Sequence, residues 1–125
     1  MAFESVPIGV HALLDFHGAR GLEDLDFVES ILRDAASAAG ATILGAHMHH
    51  FGEGFGVTGV VLLAESHMSI HTWPEHDYAA VDIFLCGGSN LQAAIEVIED
   101  RFEAQVASTK VIERGEARLS GERAA

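Results

Sequence analysis

Two helical patterns stand out in the hydrophobic and polar positions of this chain. From Leu22 to Ala36, apolar residues recur at helical spacing, and Gly40 then suits a C-terminal cap. Acidic residues fall in the favourable first turn of this segment, at Glu23, Asp24 and Asp26. The second pattern begins near Asn90 and places these apolar residues on one face: Leu91, Ala94, Ile95, Ile98 and Phe102. Both segments are predicted to be amphipathic helices that cover a sheet.

The remaining apolar segments are short and are bounded by glycine or proline, which is typical of strands. The first, Ala12 to Phe16, ends in a turn at Gly18 to Gly21. The other predicted strands are Thr42 to Phe51, Gly56 to Ala64, Met68 to Thr72, Ala79 to Cys86 and Ser108 to Glu113.

The resulting order is strand, helix, several strands, helix, strand. Adjacent strands with two helices favour an α+β fold over a doubly wound parallel sheet. We expect a two-layer sandwich, a mainly antiparallel sheet with two helices on one face, formed by a single domain spanning 1–125. The uncovered face or an edge needs a partner or a ligand, so a homodimer is expected, and a second copy could complete the site.

Composition narrows the classes of function. The 125 residues carry a formal net charge of −12, which argues against nucleic acids and anionic membranes and favours a small cationic ligand. No apolar run reaches membrane-spanning length and no basic leader is visible, so a soluble, cytoplasmic protein is expected. The single cysteine, Cys86, excludes a disulfide framework within the chain.

The densest chemistry lies between Ala64 and Glu75, which hold a hydroxyl, imidazoles, an indole and carboxylates. The Ser66 hydroxyl could add to the preceding Glu65 carbonyl if donors stabilise the oxyanion, which converts the amide to an ester. His71 and Cys86 are candidate proton-transfer groups. Removal of the Ser66 α-proton would eliminate the ester and leave a dehydroalanine, which hydrolyses to a pyruvoyl group. Such a ketone forms a Schiff base with a substrate amine and acts as an electron sink for decarboxylation.

Several motifs resemble the prokaryotic S-adenosylmethionine decarboxylase proenzymes. They include Glu65-Ser66-His67, the segment from Ile70 to Glu75, the segment from Tyr78 to Phe84, and Cys86-Gly87. Weaker similarity extends over most of residues 8 to 116.

The resemblance implies self-cleavage between Glu65 and Ser66 into a β chain of residues 1–65 and an α chain of residues 66–125. His71 would remove the α-proton during processing, and the hydroxyl of Thr58 would assist. The family position matching Thr58 is commonly serine. Cys86 would act as general acid during turnover. The implied product is the aminopropyl donor for spermidine in polyamine biosynthesis.

The resemblance also implies a ligand pocket with Phe51 and Trp73 stacking on adenine and Glu75 accepting hydrogen bonds from ribose. The loop from His50 to Gly56 is one residue longer than is usual in the family, so Phe55 could replace Phe51. Relatives with the same pyruvoyl group act on L-ornithine or L-arginine, and such a decarboxylase is the alternative substrate assignment.

Other hypotheses are weaker. Taken alone, His71 would be interpreted as a core histidine and Cys86 as a buried thiol. His47, His49 and His50 could bind a metal, but no cysteine pair or acidic triad supports them, and no metal is expected. A serine hydrolase built on Ser66 lacks the usual glycine-flanked elbow. An inactive homologue would not need Glu65, Ser66, His71 and Cys86 together.

Overall fold

The computed structural model describes residues 7–64 and 66–116, which form one sheet and two α-helices. The strands are β1 Pro7–His17, β2 Ile43–His50, β3 Val57–Leu63, β4 Ser66–Trp73, β5 Tyr78–Cys86 and β6 Val106–Glu116. The helices are α1 Leu25–Ala38 and α2 Leu91–Phe102, and a short 3₁₀ turn covers Pro74–His76.

The sheet order is β2-β3-β4-β5-β1-β6, and every neighbouring pair is antiparallel. Three hairpin-like connections join β2 to β5, whereas β1 and β6 reach their places through the two helices. The strands that carry the chemistry, β4 and β5, therefore lie in the middle of the sheet.

Both helices begin at side-chain caps. The Asp24 carboxylate accepts a hydrogen bond from Phe27 N at 3.0 Å, and Asn90 accepts one from Ala93 N at 3.1 Å. Helix α1 therefore begins at Leu25 and not at Leu22, because Asp24 caps it from outside the first turn. Gly40, just beyond the end of α1, has φ +79°, a conformation that glycine adopts at little cost.

Among residues 7–64 and 66–116, both helices lie on one face of the sheet. Strand alternation turns residues such as Phe16, Ile70 and Ile83 toward the helices, where they are fully buried with Ile31 and Phe102. This confirms the predicted α+β sandwich with both helices on one side. The last strand is longer than predicted because β6 pairs with β1 along nearly its whole length.

The other face, here called the open face, carries His67, Ser69, His71 and Trp73 of β4 and their cross-strand neighbours. It bears exposed apolar side chains, including Leu62 and Ile112 at 53% and 47% exposure. In the described part of the chain, no helix is long and apolar enough to cross a membrane.

Candidate functional site

A cavity of about 590 Å³ opens at one end of the open face, where β3, β4, the 51–56 loop and the 3₁₀ turn meet. The residues lining it are Phe51, Phe55, Gly56, Val57, Thr58, His71, Thr72, Trp73 and Glu75. Five of these residues were predicted from the sequence as site residues: Phe51, Thr58, His71, Trp73 and Glu75. The structure thus brings together side chains from two strands and two connections.

The pair Thr58 and His71 forms the polar centre of this cavity. The two residues are direct cross-strand partners on β3 and β4, and Thr58 Oγ1 is hydrogen bonded to His71 Nδ1. His71 is exposed on the open face, so the interpretation of this residue as a core histidine is wrong. With Nδ1 engaged, Nε2 is the nitrogen left for proton transfer.

Both candidate phenylalanines, Phe51 and Phe55, line the cavity. The longer loop therefore does not replace Phe51 by Phe55 in the lining. Phe51 and Phe55 are 59% and 57% exposed, and they line the same cavity as Trp73 and Glu75. The loop closes on itself through Phe51 N to Gly56 O at 3.0 Å and Phe55 N to Gly52 O at 2.9 Å. Three aromatic rings are therefore available to one ligand.

Thr72 fixes the floor of the cavity, a role that the sequence analysis missed. Its buried hydroxyl accepts from Val57 N at 2.8 Å and donates to Leu22 O at 2.7 Å. Gly56 packs directly on this residue, since a Cβ at Gly56 would lie 1.9 Å from Thr72 O. The available signal was the alternation in β4, which turns Thr72 to the same buried side as Ile70.

Ser66 and Cys86 lie at the opposite end of the sheet. Ser66 is the first residue of β4, and its Oγ lies 3.4 Å from Ala64 O. The next residue, His67, pairs with Phe84 on β5, which ends at Cys86. The thiol of Cys86 is half-buried and lies 3.3 Å from Ser89 Oγ. Glu65, the other half of the predicted cleavage site, lies outside the described residues.

The predicted catalytic residues therefore form two groups and not one. Ser66 and His71 are five positions apart on the extended strand β4, which corresponds to about 16 Å. Ser66 and Cys86 lie at one end of the sheet, and Thr58, His71 and the cavity lie at the other. Within one chain, His71 cannot reach Ser66.

The histidines considered for metal binding do not form a site in the described residues. His47 and His49 lie on the open face of β2, as alternation predicts, paired with Val60 and Thr58. No group of three His, Cys, Asp or Glu side chains in residues 7–64 and 66–116 is placed to hold a metal ion.

Comparisons with known proteins identify the family. Residues 10–115 match the family model described as S-adenosylmethionine decarboxylase. An S-adenosylmethionine decarboxylase proenzyme of Thermodesulfovibrio yellowstonii is 43% identical over 86% of this chain and 82% of its own length. A proenzyme of the same name from Thermomicrobium roseum is 40% identical over 86% of this chain and 94% of its own.

A solved structure supports the same assignment. The crystal structure of the adenosylmethionine decarboxylase of Aquifex aeolicus superimposes with a TM-score of 0.79 at 32% identity, over 95% of this chain and 98% of that one. The family match covers most of the chain, and the sequence identity to proenzymes of that name is well above the level at which families are shared. The chain belongs to the S-adenosylmethionine decarboxylase family.

Proposed function

We propose that this chain is a proenzyme that cleaves itself at Glu65-Ser66 and becomes a pyruvoyl-dependent S-adenosylmethionine decarboxylase. The observation that carries this proposal is the cavity, in a chain whose relatives bear that name. It combines a hydrogen-bonded histidine, three aromatic rings and a carboxylate.

The cavity suits an adenosyl sulfonium substrate. Its volume of about 590 Å³ falls within the usual range for small-molecule sites. Phe51, Phe55 and Trp73 provide flat apolar surfaces for an adenine ring and π faces for the cationic sulfur. Glu75 is placed to accept hydrogen bonds from ribose hydroxyls. An L-ornithine or L-arginine substrate would have no use for three aromatic rings.

Processing uses the hydroxyl of Ser66 and the imidazole of His71. Ser66 Oγ attacks the Glu65 carbonyl carbon, the amide C–N bond breaks, and an ester to the Ser66 side chain forms. His71 Nε2 then takes the Ser66 α-proton, and elimination releases Glu65 as a carboxylate. Addition of water and loss of ammonia turn the new terminus of the 66–125 chain into a ketone. Thr58 orients the imidazole through Nδ1.

The residues at the Ser66 end fit the resulting group, because this serine begins β4 and the half-buried thiol of Cys86 ends the neighbouring strand β5. The pyruvoyl group supplies an electron-accepting carbonyl that stabilises the carbanion formed when carbon dioxide leaves. Cys86 returns a proton to the decarboxylated carbon, and the aromatic side chains hold the adenosyl portion.

The gap of about 16 Å along β4 supports a site that two copies of the chain share. In such a dimer, the open faces of the two copies stack on each other, and the two-fold axis lies between them, perpendicular to the strands. This symmetry places the Ser66 end of one copy over the His71 end of the other. The exposed Leu62 and Ile112 would be buried in such a dimer. His11 Nε2, which is buried without a hydrogen-bond partner among the described residues, also lies on this face.

The proposal includes the setting of the reaction. The product is an aminopropyl donor for spermidine, and the enzyme acts in the cytoplasm as a homodimer of cleaved chains. The acidic chain suits a cationic substrate and neither nucleic acid nor membrane surfaces.

Intact-mass spectrometry of fresh protein, followed by carbon dioxide assays on S-adenosylmethionine, ornithine and arginine, tests the proposal. We expect two fragments that divide between Glu65 and Ser66, with a blocked α chain, and release of carbon dioxide from S-adenosylmethionine alone. Ser66→Ala abolishes both cleavage and activity. Cys86→Ala is cleaved but turns over poorly. A Ser66→Ala protein that is active without cleavage contradicts the mechanism. Release of carbon dioxide from ornithine or arginine, but not from S-adenosylmethionine, would show that the substrate is that amino acid.

A further inference from the structure

A row of four aromatic rings crosses β1, β5 and β4 at the cavity end of the open face. His17 stacks on Tyr78 at 4.9 Å between centroids, and Tyr78 stacks on Trp73 at 5.4 Å with an interplanar angle of 23°. Trp73 in turn lies 6.0 Å from the ring of His71. Trp73 and His71 line the cavity, whereas Tyr78 contacts Trp73 from outside the lining.

Tyr78 is anchored from the neighbouring strand. Its phenol donates a hydrogen bond to Asp15 Oδ1 on β1, and Ala80, which lies between His71 and Asp15 in the register, leaves room for this contact. A tyrosine hydroxyl held by a carboxylate forms a strong, charge-assisted bond with a defined direction. The ring of Tyr78 therefore has a fixed position against which Trp73 can stack.

We propose that Tyr78, held by Asp15, is a positioning residue that fixes the Trp73 ring at the cavity and thereby sets the affinity for the flat part of the substrate. The indole needs such support because it remains 38% exposed and its other ring neighbour, His71, contacts it less closely. The effect of Tyr78 on substrate affinity rests on the proposed function, whereas its effect on the position of the Trp73 ring does not.

Tryptophan fluorescence reports on this site alone, because Trp73 is the only tryptophan of the chain and Tyr78 is its only tyrosine. Tyr78→Phe keeps the ring and removes the hydrogen bond to Asp15. We expect acrylamide to quench Trp73 fluorescence more strongly in the ligand-free variant than in the unaltered protein. We also expect KM for S-adenosylmethionine to rise about fivefold with kcat little changed, because one hydrogen bond is lost.

Ser69→Ala is the matched control. It removes another hydroxyl on the same face, one whose Oγ lies 3.4 Å from Asp82 Oδ2, without a ring contact to Trp73. Quenching and KM should match the unaltered protein in this variant. Asp15→Ala should reproduce the effect of Tyr78→Phe. The double variant should show no larger effect than either single variant, because both substitutions remove the same hydrogen bond.

Two results would overturn the proposal: Trp73 quenching unchanged in Tyr78→Phe, or an equal change in Ser69→Ala. If the unaltered protein releases no carbon dioxide from S-adenosylmethionine, the proposed function fails. The quenching comparison then still decides whether Tyr78 positions the indole.

Discussion

The phenol of Tyr78 shows how one residue depends on a distant one. The hydrogen bond to Asp15, together with partial burial and the negative charges of Asp15 and Asp82, raises the pKa of Tyr78 to about 12. An unperturbed tyrosine ionises near pH 10. The hydrogen bond therefore contributes stability that is fully present below about pH 10 and is lost as the pH rises toward 12.

Alkaline titration of this sole tyrosine checks the environment directly. We expect the phenolate absorbance to remain low at pH 10 while circular dichroism shows a folded chain, because the neutral phenol is held by Asp15. Asp15→Asn, which removes the charge, should lower the midpoint toward the unperturbed value. A folded, unaltered protein that is half ionised near pH 10 would contradict this expectation.

Some site residues could be predicted from the sequence and others could not. Ser66, His71 and Cys86 were predicted because the residue types suggest proton transfer and the motifs around them resemble those of a known family. Tyr78 was not, because its hydrogen-bond partner Asp15 lies 63 positions earlier in the chain. Contacts of that range depend on the strand order, in which β1 lies beside β5.

At the scale of elements, the path of the chain into β3 depends on the close contact between Gly56, which precedes the strand, and Thr72. A methyl group at Gly56 would collide with the backbone of β4, which cannot rotate away as a side chain can. We expect Gly56→Ala to lower the free energy of unfolding by roughly 1–3 kcal/mol, as overpacking does, and to weaken ligand binding by displacing the loop. Urea unfolding measures the first effect.

Gly88→Ala is the control for that substitution. A Cβ at Gly88 meets nothing within 4 Å, so the free energy of unfolding should change by no more than about 1 kcal/mol. Equal losses in the two variants would mean that the contact with Thr72 is unimportant.

Every strand and helix among the described residues was predicted, since periodicity and glycine-bearing turns report these features locally. The ends were less accurate. Asp24 caps α1 from outside the helix, and β6 extends to Val106 and Glu116 because β1 offers pairing partners there. The extension of β6 cannot be deduced from the segment's own pattern, whereas the Asp24 cap is a local signal that the sequence analysis placed in the first turn.

For the whole molecule, the sequence predicted that a second copy could complete the site, but it did not predict the arrangement that we propose for the two copies. The motif from Glu65 to Glu75 is compact in sequence, yet the extended conformation of β4 places its serine and histidine at opposite ends of the sheet. Only the strand geometry divides the motif into two groups.

Co-expression of two inactive variants tests the shared site. Ser66→Ala lacks the nucleophile and His71→Ala lacks the base, so neither is expected to cleave alone. In a mixed dimer, the intact Ser66 of the His71→Ala chain meets the intact His71 of its partner. We therefore expect mass spectrometry to show cleavage of the His71→Ala chain only. Failure of cleavage in a purified mixed dimer would place both groups in one chain.

The distance between Ser66 and His71 also has a kinetic consequence. A proenzyme whose nucleophile and base belong to different molecules matures at a rate that depends on encounters between newly made chains. Dilution delays its maturation, and a burst of synthesis accelerates it. In the proposed dimer, the length of one β-strand thereby links the onset of catalysis to the amount of protein present.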